Sequence, residues 1–339
     1  MKKSLKLLAL LTTMCFAFAG CGGDTTTGDD TTTGGETQFK IGVMQLMDHE
    51  ALNLAQEGFI DALADNGYVD GENIELLLEN GQGDTNNLST IADKFVAEEV
   101  DLAFTIATPS TQAMAGKTTT IPIVATAVTS FTEAGLAASD EAPGGNITGT
   151  SDMNPITEQI DLLMQLAPDT QTIGFLYTSS EDNSILQCSI AKDYVENTLG
   201  LATTERTITN TNDIQQAVTS IIDECDAIYI PTDNNFASAM PTVNQVAAPA
   251  GIPVITGESN MTKAGGLATI GLTYYGIGYQ AGEMALDILL NGADPAAMPI
   301  MGSSEFETCI NGEVAEAINV TIPEELQQYV VYPSQEAAE

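Results

Sequence analysis

The chain has 339 residues, with 47 acidic against 9 basic side chains and a formal net charge of −38. A surface this acidic repels phosphate backbones and anionic lipid headgroups, which excludes nucleic acid as a partner. Hydrophobic residues make up 43% of the chain, enough for two ordinary domains with real cores.

Lys2, Lys3 and Lys6 precede an apolar run over 7–19, and Ala19-Gly20-Cys21 closes it. A basic start, a short apolar core and small residues before a cut site describe a secretory leader, too short for a permanent spanning helix. The ending resembles a bacterial lipobox, with Phe18 where such sites usually carry Leu. Residues 1–20 are therefore expected to be removed and Cys21 to be lipidated. The mature chain would then hold six bases against 47 acids, a net charge of −41. Residues 22–37, GGDTTTGDDTTTGGET, lack any large apolar side chain, so 21–38 is expected to be a flexible tether.

Short apolar runs then alternate with segments of helical period. A strand is expected over 41–45, and Leu52, Ala55, Phe59, Ala62 and Leu63 share one face of a helix that stops at Gly67. A strand over 74–78 follows, then a helix carrying Leu88, Ile91, Ala92, Phe95 and Val96. A strand over 101–106, a short helix from Ser110 and a strand over 121–127 complete a first half. APGGN at 142–146 reads as a turn-rich break and a crossing between lobes.

The second half repeats the scheme. Helices are expected around Ile156–Met164, Leu186–Tyr194, Ile214–Ile221 and from Asn235, with strands over 173–177, 202–208, 227–230 and 253–255. Near-continuous apolar strands between amphipathic helices indicate parallel sheets covered on both faces. The fold class is α/β: two Rossmann-like, doubly wound lobes joined by a multi-strand hinge. A last strand over 268–272 and a helix with Ala281, Met284, Ala285, Ile288 and Leu289 on one face are expected to return to the first lobe. That gives lobe one as 39–150 plus 268–296, and lobe two as 151–267 plus 297–339. Cys188, Cys225 and Cys309 are odd in number, and Cys188 and Cys225 lie in apolar stretches, so the three are read as buried thiols without chemistry.

In open α/β sheets, ligands bind beyond the carboxyl ends of the strands. The segments there are MDHEALN (47–53), ATPST (107–111), TAVTSFTEAGL (126–136), TSSEDNS (178–184), PTDNN (231–235) and TGESN (256–260). Capping accounts for each of them singly. It does not call for Glu181 beside Asn183 and Ser184, or for Asp233 beside Asn234, in cleft-facing loops.

Several stretches carry a resemblance: HEALN with GFIDALADNGY, DLAFTIATPSTQAM, IPIVATAV, PGGNITGTSDMNP, TIGFLYTSSEDNS, AIYIPTDNN and GGLATIGLTYYGIGYQAGEMALDILLNG. Spanning 40–296 in order, they resemble the ABC transporter substrate-binding protein family whose members include binders of tryptophan and other aromatic amino acids. The resemblance implies the type I periplasmic-binding fold and an ABC permease with its ATPase as partners; with the leader and Cys21, the expectation is a lipid-anchored extracytoplasmic monomer with no catalysis or cofactor. The family usually reads Asp at Asn53 and Asp-Pro at Ser130-Phe131, both expected in cleft-facing loops.

For an amino-acid ligand, the ammonium calls for an anion, Asp233 first and Glu181 or Glu258 in reserve. Arg206 is the only arginine and falls in a strand, so hydroxyls and backbone N–H groups around Thr108, Ser110, Asn183 and Ser184 are expected to hold the carboxylate. Asn234 and Ser130 join these candidates, and Met47, Phe131 and Tyr274 are candidates for a side-chain pocket, with core packing as the alternative. An anchored hydrolase is the rival from another class. His49 is the sole histidine and no G-x-S-x-G elbow is present, so His49 is read as a cleft-edge residue and no metal site is expected. A sugar or nucleoside binder and a ligand-sensing lipoprotein remain on the same fold.

Overall fold

The computed structural model describes residues 39–303 and 305–336. The leader, Cys21 and the tether lie outside the described residues.

The first sheet has six strands, all parallel, in the order β2-β1-β3-β4-β5-β11. Its strands are β1 (Phe39–Gln45), β2 (Ile74–Asn80), β3 (Leu102–Ile106), β4 (Ile123–Val128) and β5 (Ile147–Ser151), with β11 (Met301–Gly302) arriving late in the chain. The central strands β3 and β4 are buried along their whole length, as strands covered on both faces must be, whereas edge strand β2 is largely half-buried or exposed. Helices α1 (Glu50–Asp65), α2 (Thr85–Ala97) and α3 (Thr108–Ala115) connect these strands.

The second sheet has seven strands in the order β7-β6-β8-β9-β10-β12-β13. These are β6 (Thr172–Thr178), β7 (Ala202–Ile208), β8 (Ala227–Ile230), β9 (Val254–Thr256), β10 (Ala268–Gly271), β12 (Glu307–Asn311) and β13 (Val330–Val331). Among the described residues, only its β10–β12 pair is antiparallel. Helices α4 (Ile156–Leu166), α5 (Asp182–Asp193), α6 (Ile214–Ile221), α7 (Asn234–Ala237), α8 (Met240–Ala247) and α9 (Ser259–Ala264) cover it, and an apolar cluster lies on each face.

The chain passes between lobes three times: from β5 to α4, from β10 to α10 (Tyr274–Asn291), and from β11 to β12. Three expectations are corrected here. The APGGN turn precedes β5, which still pairs with β4, so the first crossing comes after Ser151. The strand over 268–271 does not return to lobe one. It pairs with Ile255 of β9 and with β12, because the second sheet still has an open edge beside β9 that a buried apolar strand can fill. The helix after it does return, and residues 301–302 add to the first sheet rather than the second.

Helix α10 seals lobe one through close backbone approach to α1. A Cβ on Gly278 would lie 2.0 Å from the Ala55 carbonyl oxygen, and one on Gly58 would lie 2.2 Å from that of Tyr275. Beneath this pair, the rings of Phe59 and Phe104 stack with centroids 3.6 Å apart. The thiols of Cys188, Cys225 and Cys309 are buried.

Candidate ligand-binding cleft

The carboxyl ends of β1, β3 and β4 face those of β6, β8 and β9 across the gap between the lobes, and hydrogen bonds from His49, Gln112 and Gln187 span it. His49 Nε2 lies 3.1 Å from Asn234 Oδ1. Gln112 Nε2 donates to Asp182 Oδ2 at 2.8 Å, and Gln187 Nε2 to Thr129 Oγ1 at 3.3 Å. Burial pushes the His49 imidazole down to about 4, so it bridges the lobes as a neutral ring.

Two cavities lie along this seam and meet at Asn183. The inner one is a narrow space of about 10 Å³ between His49, Leu52 and Ala127 on one side and Thr232, Asp233, Asn234, Glu258 and Met261 on the other, with Asp152 and Tyr274 from the crossings. The outer one, about 300 Å³, opens between Thr108, Ser130 and Glu133 of lobe one and Asp182, Ile185 and Leu186 of lobe two. No lysine or arginine lines either wall among the described residues. Arg206 sits on β7, bonded to Glu224 at 2.7 Å.

The second lobe presents carboxylates that the fold has already engaged. Asp233 caps α7: its Oδ1 accepts from Phe236 N (3.1 Å) and Thr178 Oγ1 (2.9 Å), and its Oδ2 from Thr178 N (2.6 Å). Glu258 caps α9, accepting from Met261 N on Oε1 and from Asn260 N and Nδ2 on Oε2. Glu181 accepts from Asn183, Asn234 and Asn235. Burial raises the pKa of all three, Glu258 to about 7, and for Glu181 the charge of Asp233 adds to it.

The first lobe presents neutral groups. Ala107 begins α3 at φ 84° and ψ 152°, and Ala127 at the end of β4 has φ 55°, both conformations that favour glycine. Thr108 Oγ1 and Ser110 Oγ are buried without a hydrogen-bond partner, as is Asn183 Oδ1 facing them. Orphaned buried polar atoms are costly unless a ligand or water supplies the partner, and two of these three, on Thr108 and Asn183, belong to residues that line the outer cavity.

Of the residues read from sequence, Asn183, Asp233, Asn234, Glu258 and Tyr274 come together around the inner cavity, and Thr108, Ser130 and Asn183 around the outer one. The others do not line either cavity. Met47 packs at the edge of the first core, and Phe131 is buried within it. Glu181 stands behind Asn234, Ser184 is buried beneath Asn183, and Ser110 lies under the start of α3. Asn53 is exposed on α1, not in a cleft loop, and accepts from Gln45 Nε2 at 2.7 Å.

Asp152, Thr232, Leu52 and Met261 were missed. Asp152 was the costly omission: no strand is read over 147–151 from the sequence, so the residue just after β5 did not count among the cleft segments. Its Oδ1 accepts from Thr129 Oγ1 at 2.9 Å and its Oδ2 from Tyr274 Oη at 2.8 Å.

Comparison with known proteins agrees with this fold. Residues 40–332 match the family described as ABC transporter substrate binding protein. A tyrosine-binding protein of Clostridioides difficile (strain R20291) is 37% identical over 326 residues, 94% of each chain. The structure of a Streptococcus pneumoniae ABC domain in complex with L-Trp is 36% identical, covers 87% of this chain and 100% of its own, and superposes with a TM-score of 0.83. The ligand-free, open structure of a substrate-binding protein from Clostridium difficile is 39% identical over 87% of this chain and 98% of its own, yet scores 0.67. Two α/β lobes of the type I periplasmic-binding fold, shut over a polar cleft and matched along nearly all of the described chain, place this protein in the ABC transporter substrate-binding protein family.

Proposed function

We propose that this chain captures an α-amino acid, with aromatic ones preferred, and delivers it to an ABC permease from a lipid-anchored, extracytoplasmic position. The observation that carries the reading is the asymmetry of the seam. Buried carboxylates and no lysine or arginine line the inner cavity, which suits an ammonium, and the orphaned Thr108 hydroxyl at the start of α3, in the outer cavity, suits a carboxylate. Leu52 and Met261 within, and Ile185 and Leu186 outside, give apolar walls to a side chain. The tyrosine-binding and L-Trp-bound relatives support the aromatic class.

Capture works by closure. A ligand touching both lobes stabilises only the shut form, so its differential affinity shifts the population toward the outline a permease would recognise. The leader and Cys21 support anchoring, and the cleft is complete within one chain. Calorimetric titration with L-tyrosine, L-tryptophan, L-phenylalanine, L-leucine, glucose and adenosine tests the reading. Saturable binding of the aromatic amino acids with a fall in radius of gyration is expected, and binding confined to the sugar or the nucleoside overturns it. Detergent-phase partition of the expressed protein, lost in Cys21→Ala, tests the anchor.

A further inference from the structure

The inner cavity is walled by three buried carboxylates, and their hydrogen bonds rank them. Asp233 and Glu258 each accept three bonds, at least two of them from backbone amides, and each caps a helix of its own lobe. Asp152 accepts two side-chain bonds, one on each oxygen, and both donors are hydroxyls. A carboxylate offers about four acceptor sites, so Asp152 keeps the most open capacity toward the cavity.

Its position differs as well. Asp152 lies just after β5 on the first crossing, and Tyr274 just after β10 on the second. The same two crossings are joined again beside the cavity, where Asn154 Nδ2 donates to the Asp152 carbonyl at 3.1 Å and Asn154 Oδ1 accepts from Leu272 N at 3.0 Å. Asp152 is thus the one cavity carboxylate held by the hinge rather than by a helix start.

We propose that Asp152 is the anion that receives the ligand's ammonium, and that Tyr274 on the second crossing and Thr129 in the loop after β4 of lobe one are positioning residues that aim it. This rests on the amino-acid reading above and narrows it to ligands bearing a primary ammonium. A cation docked on Asp152 bonds to the segment that must bend for the lobes to meet, so occupancy and closure are joined at one residue. Asp233 and Glu258 then serve mainly to build the wall.

The test compares L-tyrosine with 3-(4-hydroxyphenyl)propanoate, the same molecule without its ammonium, by calorimetry on the full chain. The wild type is expected to prefer L-tyrosine strongly. Asp152→Asn should weaken L-tyrosine by roughly 10- to 100-fold, the range of a hydrogen bond to a charged group, and leave the des-amino compound unchanged or tighter. Tyr274→Phe and Thr129→Val leave the carboxylate in place and should narrow the same preference several-fold, which simple loosening of the fold would not do, since that weakens both compounds alike. Should Asp152→Asn fail to fold by circular dichroism, these two variants decide the matter. An undiminished preference in the folded variants overturns the assignment while leaving amino-acid capture intact. A wild type that binds no amino acid removes the capture reading and the assignment together.

Discussion

The two faces of the cleft solve different problems. Lobe two shows charged groups whose hydrogen bonds the fold has already supplied, chiefly from the first turns of α7 and α9. Lobe one shows neutral hydroxyls that the fold has left without partners, behind two alanines held at positive φ. The difference teaches where specificity can be stored. A pre-satisfied carboxylate is a stable wall, whereas an orphaned hydroxyl gains its bond only when a ligand arrives.

The sharpest way to break this comparison is to remove an engaged carboxylate. Asp233→Ala strips the acceptor from Thr178 N, Thr178 Oγ1 and Phe236 N inside a buried site. Each orphaned group costs ~1–3 kcal/mol, so a total loss of about 3–5 kcal/mol in unfolding free energy is expected by urea denaturation. A loss below ~1 kcal/mol would mean that Asp233 is not the keystone of its lobe.

The pH dependence of the ligand-free protein separates the faces next. The buried acids titrate above their unfolded range, Glu258 near 7, so the native protein binds more protons than the unfolded chain above about pH 4.5. Their contribution is full below the unfolded value and is lost as pH rises through about 7. His49 has the opposite sign: depressed to about 4, it stabilises above its unfolded value of 6.5 and loses that as pH falls through 4. Thermal stability should therefore peak between these limbs. The alkaline limb is worth up to ~3 kcal/mol for Glu258. Glu258→Gln should flatten that limb, and His49→Gln the acid one; a profile unchanged by both would remove the argument.

How much of this was legible in the sequence follows from the kind of signal. Strands such as 102–106 and 227–230 are apolar throughout because both faces are covered, and that shows in the residues themselves. The placement of 268–271 did not, since an apolar strand suits either sheet and only the open edge beside β9 decides. The cap residues Asp233 and Glu258 and the α3 residues Thr108 and Ser110 stood out because turn chemistry has a local pattern. Asp152 did not, because its value comes from Tyr274, 122 residues away. Phe131 and Met47 show the converse, since an aromatic or a methionine near a cleft loop looks the same whether it faces ligand or core.

The faces also predict opposite couplings between stability and binding. Thr108→Val removes a buried hydroxyl that has no partner in the fold, so stability should stay within about 0.5 kcal/mol of wild type or rise slightly. Affinity for L-tyrosine should fall by about tenfold, since a hydroxyl bond to a ligand carboxylate is worth ~1.5 kcal/mol. Stability by thermal melt and affinity by calorimetry must diverge; a joint fall would make Thr108 an ordinary structural residue.

The smallest effect tests the strain. Ala107 is pinned on both sides, its N–H donating to the Thr126 carbonyl at 3.0 Å and its own carbonyl accepting from Thr111 N and Oγ1 at 3.1 Å each. Those bonds hold an alanine where φ is 84°, a conformation costing ~1–3 kcal/mol that glycine adopts freely. Ala107→Gly relieves it at the expense of a more flexible unfolded chain, a net gain of about 1 kcal/mol. The stiffness that aims Thr108 at the seam is lost with it, so L-tyrosine should bind a few-fold more weakly even as the melting temperature rises. A variant that gains stability and keeps full affinity would show that lobe one does not need its strained turn to orient the hydroxyls.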